Sequence, residues 1–189
     1  MKANQSFSLQ ALDLPDAFLI KPFVAYDNRG AFVKDYSQEV FAGQGVLHDL
    51  KEVFYTESYK GVVRAIHFQK VKPQPKLVRC VSGAIFDVIV DLRAESAFFG
   101  QWRGFMLTGA NHDELLVPAG CGHGYLVLED SIVSYKCSEK FYGEYDDGIL
   151  WSDPEIAVDW PLAGIGGAGN VILSEKDEKL QTFARFKVS

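Results

Sequence analysis

From Lys76 to Cys137 the chain is a succession of short apolar runs broken by Gly, Pro, Asn and Asp, and this punctuation confines it to an all-β fold. Lys76 to Val81 and Ala84 to Leu92 are rich in Val, Ile and Phe and are split by Ser82-Gly83, a pattern that predicts two strands joined by a tight hairpin. Gly104 to Thr108, Glu114 to Val117, Gly124 to Leu128 and Ile132 to Cys137 continue the series. Strands at this spacing, with no long helical period between them, predict a sandwich or barrel. Short helices are expected after Ser37 and from about Ser174, where Leu180, Phe183 and Ala184 recur at helical spacing. With 189 residues, 48% of them hydrophobic, the chain can bury a core as a single domain over 1–189.

Several classes of function are disfavoured at once. A net charge of -6 argues against a general nucleic-acid or anionic-membrane surface, so an anionic ligand needs a local basic cluster. The apolar runs are too short to cross a bilayer, and Met1 to Ser6 leads into nothing like a signal peptide. Cys80, Cys121 and Cys137 are odd in number and lack CxxC spacing, as expected of a reduced, cytoplasmic protein. Asn4-Gln5-Ser6 matches a glycosylation triplet of a kind common by chance. Gly164 to Gly169 formally spells GxGxxG, but it neither follows a strand nor opens a helix, so it reads as a surface loop rather than a dinucleotide fingerprint.

Arg64-Ala65-Ile66-His67-Phe68-Gln69 and Lys76-Leu77-Val78-Arg79 set an imidazole, an ammonium and two guanidiniums into strand-like sequence. A strand that buries one face has no stability reason to carry so many proton-transfer and anion-binding groups, and the combination points to enolate chemistry on an anionic substrate. Pro118-Ala119-Gly120-Cys121-Gly122-His123-Gly124 is a turn that delivers His123 to the start of a strand, with the spacing of half a cupin metal signature. His67 has no second His two residues on, and His48 and His112 sit in polar, loop-like sequence, so no metal is expected. Taken alone, His123 reads better as a structural histidine.

Eight ordered motifs carry a resemblance to the dTDP-4-dehydrorhamnose 3,5-epimerase family. They include Arg64-x-x-His67-Phe68-Gln69, Lys76-Leu77-Val78-Arg79-Cys80-Val81-x-Gly83, Pro118-x-Gly120-x-x-His123-Gly124, Tyr135-Lys136, Ile149-Leu150-Trp151-x-Asp153-Pro154 and Leu173-Ser174-x-Lys176-Asp177. The likeness runs from about Asp27 to Asp177. It implies a cupin-like jelly-roll barrel, a homodimer, and cofactor-independent epimerisation at C3 and C5 of a nucleotide-linked 4-keto-6-deoxy sugar. Such a reaction needs a base on one face of the sugar, a cation at the ketone oxygen and an acid on the other face. By the resemblance these are His67 oriented by Asp177, then Lys76, then Tyr135. Arg29, Arg64, His123 and Lys176 match substrate-contacting positions, and Asp146 stands near the acid that often precedes Ile149-Leu150-Trp151.

Other roles are available to several of these residues. Ser174-Glu175-Lys176-Asp177 also spells a capping box, in which Asp177 would serve a helix start. Tyr135 alternates with Val133 and Cys137 and could simply line the core. Lys76 and Arg79 fall on opposite strand faces, and Asp87 and Asp91 share a face with Ile85 and Ile89, where one could pair with a barrel cation. The chain departs from its relatives where the nucleotide is held. Lys34 replaces an acid, and Glu52 and Phe54 replace a Gln and an Asn. Lys34 could pair with Glu52 across strands, or could contact the base or diphosphate of a CDP- or GDP-linked sugar. A mono-epimerase, a 3,4-ketoisomerase, and a non-catalytic or metal-binding cupin are the alternatives.

Overall fold

The computed structural model describes residues 5–188, so Asn4 of the glycosylation triplet lies outside the described residues. The chain runs β1 (Ser8–Ala11), β2 (Phe18–Lys21), β3 (Phe23–Asp27), β4 (Gly30–Lys34), α1 (Gln38–Gly43), β5 (Glu52–Ser58) and β6 (Val63–Gln69). It continues through β7 (Lys76–Asp91), β8 (Trp102–Thr108), β9 (Glu114–Val117), β10 (Cys121–Cys137), β11 (Asp146–Gly148) and α2 (Phe183–Phe186).

The spine is one antiparallel ribbon of β7 and β10, paired from Lys76↔Cys137 to Asp91↔Cys121. The expected hairpin at Ser82-Gly83 does not form, and the two runs expected on either side of Glu129-Asp130 are likewise one strand, β10. At Ser82-Gly83 the chain bends without reversing, and the register slips between Val127, Glu129 and Ile132 on the facing strand. A bulge and a hairpin ask the same thing of a glycine. Gly83 has φ +80, and a Cβ there would meet the Asp130 carbonyl oxygen at 2.2 Å.

The bend divides the ribbon between two sheet regions. Beyond it on one side, β7 pairs with β9 and β10 with β5; on the other, β7 pairs with β8 and β10 with β6. The inward faces of the two regions meet over one core that includes Val78, Ile85, Ile89, Leu115, Tyr125 and Val133. This is the jelly-roll packing of two sheets with alternating inward residues. Each outer face is also covered. Phe41 of α1 and Val46 lie over Leu77 and Leu116, while Ile156, Trp160 and Phe183 lie over Val88, Val90 and Leu126. Burying one such large apolar side chain stabilises the fold by about 1.5–3 kcal/mol.

α1 begins after Ser37 as expected. The helix expected from Ser174 is reduced to one 3₁₀ turn at Asp177–Lys179, and Leu180 is extended with φ -61 and ψ 155. Gln181 forms a parallel bridge with Ile149, its carbonyl accepting from Leu150 N at 2.9 Å, which draws the chain straight. Only then does α2 form, with Thr182 Oγ1 accepting from Arg185 N at 3.3 Å. No described helix is long and apolar enough to cross a membrane.

Candidate active site

Strand alternation decides which polar groups face inward. On β10, His123 and Tyr125 point into the jelly roll, and beyond the bulge so do Val133, Tyr135 and Cys137. On β7, Lys76 and Asp87 do the same, while Arg79 is turned to the outer face, where it bonds Asp35 at 3.1 Å. β6 brings His67 directly opposite His123 in the register. Together these strands and the C-terminal segment enclose a cavity of about 310 Å³, into which His67, Lys76, His123, Tyr135 and Asp177 all face.

His67 Nε2 lies 2.8 Å from Asp177 Oδ1. Ser174 accepts from the Asp177 backbone N–H at 3.1 Å, so the serine half of a capping box is present while the carboxylate goes to the imidazole. The two uses of Asp177 are thereby divided between its main chain and its side chain. Burial pushes the Asp177 carboxyl up, but the hydrogen bond and charge of His67 outweigh it and hold the group below its ordinary range. With Nε2 engaged, Nδ1 is the nitrogen left to take a proton.

A second imidazole–carboxylate pair lies deeper. His123 Nε2 is 3.0 Å from both oxygens of Asp87, and both side chains are almost wholly buried. Burial raises the Asp87 carboxyl pKa, against the pull of His123 and Lys76. The partner that the sequence left open for Asp87 is therefore an imidazole.

Burial raises the Tyr135 phenol well above its ordinary pKa, as does the neighbouring Tyr125 hydroxyl, so at neutral pH it is a protonated donor. Phe54 stacks on its ring with centroids 4.8 Å apart at 14°. Burial pushes the Lys76 ammonium below its ordinary value, opposed by Cys137, Asp146 and Asp87. In its protonated form a lysine on the cavity wall is suited to a developing oxyanion.

Arg64 lines the cavity with Nε donating to Ser58 Oγ at 3.1 Å, and Lys176 lines it while bonded to Asp146. Three further residues expected at the ligand stand outside the cavity lining. Arg29 has an 85% exposed side chain forked onto Asp27. Lys34, at the end of the separate β3–β4 pair, sits 5.8 Å from the Phe23 ring centroid. Glu52 accepts from Phe141 N at 2.9 Å and from Gln74 Nε2 at 3.4 Å, so of the two uses open to Lys34 the pairing with Glu52 gives way to these bonds. His48, expected in a polar loop, is buried with Nε2 2.8 Å from the Lys136 carbonyl oxygen. Sequence reasoning missed Thr56, Gln74, Phe141 and Ser174 as cavity residues. Thr56 could have been found as the residue two beyond Phe54 on the same strand face.

The cavity thus brings together an imidazole paired with a carboxylate, a buried phenol and a lysine on the strand between β9 and β10. A jelly roll with these groups defines a proton-transferring enzyme of the cupin-like class, built to move hydrogen at carbon beside a carbonyl. The model of the dTDP-4-dehydrorhamnose 3,5-epimerase family matches residues 11–185. A Methanothermobacter thermautotrophicus dTDP-4-dehydrorhamnose 3,5-epimerase is 44% identical over 165 residues, covering 87% of this chain and 88% of its own. The Bacillus anthracis enzyme of that name, solved with TDP and PPi bound, superposes with a TM-score of 0.88 at 39% identity over 94% of this chain and 100% of its own. The Legionella pneumophila 3,5-epimerase, solved with dTDP-4-keto-L-rhamnose, gives 0.88 at 30% identity over 96% and 97%. The chain belongs to the dTDP-4-dehydrorhamnose 3,5-epimerase family, and it is an isomerase of nucleotide-linked sugars.

Proposed function

We propose that this chain inverts C5 and C3 of dTDP-4-keto-6-deoxyglucose, with His67 as base, Asp177 as its orienting partner, Lys76 at the ketone oxygen and Tyr135 as acid. The reading is carried by the His67–Asp177 pair, at 2.8 Å, facing the same cavity as the protonated Tyr135 phenol. His67 takes the proton on carbon beside the ketone, and the electron pair moves onto the ketone oxygen. Lys76 stabilises that enolate, which would otherwise be too high in energy to form at neutral pH. Return of a proton from Tyr135 to the opposite face inverts the centre. The same exchange at the second carbon completes the reaction.

Arg64 and Lys176 are the cations available at the cavity for the diphosphate, a role that suits a guanidinium fork. The changed residues Lys34 and Glu52 stand outside the cavity lining, and the Bacillus anthracis relative was solved with TDP bound, which supports a thymidine-linked substrate over a CDP- or GDP-linked one. The reading extends to a homodimer. Support comes from β5, which pairs with β10 alone and carries Val53 and Tyr55 59% and 65% exposed, an edge that needs covering.

Substrate incubated in deuterated water decides the matter. Label should enter at both C5 and C3 with wild-type protein and be lost with His67→Ala. Wild-type exchange by that variant would remove His67 as the base, and dTDP binding no tighter than CDP, GDP and UDP in competition would overturn the thymidine assignment. Sedimentation at twice the chain mass is the expected result for the dimer.

A further inference from the structure

Inversion places a stricter demand on the acid than on the base. An enolate that takes its proton back from His67 returns to its starting configuration, so only a proton delivered from the opposite face inverts the centre. The base is steadied by Asp177 at 2.8 Å. The acid is steadied at its ring. Tyr135 stands directly opposite Phe54 in the β10–β5 register, and the two rings stack with centroids 4.8 Å apart and 14° between their planes. The His123 ring meets Tyr135 nearly at right angles, at 5.9 Å and 84°, and is itself held 3.0 Å from both oxygens of Asp87. Of these two neighbours His123 belongs to the core, whereas Phe54 lines the cavity and is 38% exposed. The Tyr135 hydroxyl sits at the far end of its ring, where a tilt about the Cα–Cβ bond moves it most. A cross-strand ring lying flat against it blocks that tilt on one side.

We propose that Phe54 is a positioning residue for the acid: its ring holds the Tyr135 phenol toward the opposite face of the enolate and so sets how often proton return inverts the sugar rather than restoring it. This rests on the assignment of His67 as base and Tyr135 as acid. When the C–H bond at C5 breaks, the proton goes to His67 and the electron pair to the ketone oxygen. The enolate then has two branches. It takes a proton from the His67 imidazolium and is restored, or it takes the Tyr135 O–H proton and is inverted, leaving a phenolate. After inversion His67 gives its proton to solvent and the phenolate takes one from it, so the enzyme is unchanged. Phe54 acts on the second branch alone. With its ring removed the phenol has room to swing into the space left behind, and a displacement of about 1 Å at a reacting group costs about 10²-fold. The same branch point recurs at C3.

The test follows both branches in deuterated water, early in the reaction of dTDP-4-keto-6-deoxyglucose, with C5 and C3 scored separately. Label in sugar of unchanged configuration measures return from the His67 side, and label in inverted sugar measures delivery from Tyr135. Phe54→Leu keeps an apolar wall without a ring and should lower the ratio of inverted to restored centres at C5 at least about tenfold, while Phe54→Tyr, which can stack, should keep it within about twofold of wild type. An equal fall in both branches of Phe54→Leu, as a merely structural role would give, leaves the ratio unchanged and overturns the proposal. A raised KM with the wild-type ratio does the same, since Phe54 would then be a wall for the substrate only. So does a Phe54→Tyr ratio as low as that of Phe54→Leu. The underlying assignment is read from a different variant: a wild-type ratio in Tyr135→Phe would strike the acid itself, and the role of Phe54 with it.

Discussion

Asp177→Asn isolates the charge of the base's partner from its shape. The wild-type carboxylate accepts from His67 Nε2 at 2.8 Å, with the two side chains 23% (His67) and 7% (Asp177) exposed, so solvent screens the pair weakly. A hydrogen bond to a charged group contributes about 1.5–3 kcal/mol and a neutral one about 0.5–1.5 kcal/mol. The asparagine oxygen can accept the same bond, so its loss is the difference, about 1–2 kcal/mol in the step that makes an imidazolium. That corresponds to a fall of about 5- to 30-fold in C5 exchange with deuterated water. Asp177→Ala removes orientation as well and should cost about 10- to 150-fold. The wild-type carboxyl is held below its ordinary value, so the pair's contribution to stability is present above the unfolded pKa of about 3.9 and is lost as pH falls through the lower folded value. The thermal destabilisation expected of Asp177→Asn at pH 7 should therefore persist at pH 5 and shrink only in more acid solution. Exchange at the wild-type rate by Asp177→Asn would refute the argument that the carboxylate's charge supports the base.

Tyr135→Phe should still allow label to enter at C5 while slowing inversion by about 10²- to 10⁴-fold, seen by following proton couplings in the sugar ring; normal inversion would remove Tyr135 as the acid. Burial lowers the Lys76 pKa, so its charged form is present below that value and lost as pH rises through it. Exchange by the wild type should accordingly fall on the alkaline side before pH 10.5, the ordinary lysine value. Lys76→Gln should remove this limb and lower the plateau by about 10²- to 10³-fold. Gly83→Ala should destabilise the fold by at least about 2 kcal/mol in urea titration, because φ +80 and a 2.2 Å approach to Asp130 O leave no room for a methyl group.

The sequence disclosed the groups of the site more readily than their partners. Inward and outward positions follow from alternation, so the separation of Lys76 from Arg79 was legible. Pairing across strands depends on register, which alternation leaves free. Asp87 meets His123 only because β10 lies against β7 with Tyr125 opposite Asp87. Ser82-Gly83 misled for a related reason, since a left-handed glycine permits either a reversal or a bulge and only the partner strand decides. Lys34 and Glu52 looked like a charge pair, but one belongs to the separate β3–β4 sheet and the other turns to the loop at Phe141. The helix expected at Ser174 had correct local signals and lost to a backbone bond made by Gln181.

The unbroken β7–β10 ribbon divides what selection can change from what it cannot. Lys76, Asp87, His123 and Tyr135 all belong to this one pair of strands, so an insertion or deletion within it would turn at least one of them to the wrong face. β5 and the segment from Phe141 to Asp146 border the same cavity from outside the ribbon, and they can vary without disturbing that spacing. A lineage built this way can exchange the nucleotide or the sugar it accepts while keeping Lys76 and Tyr135 facing the cavity unchanged.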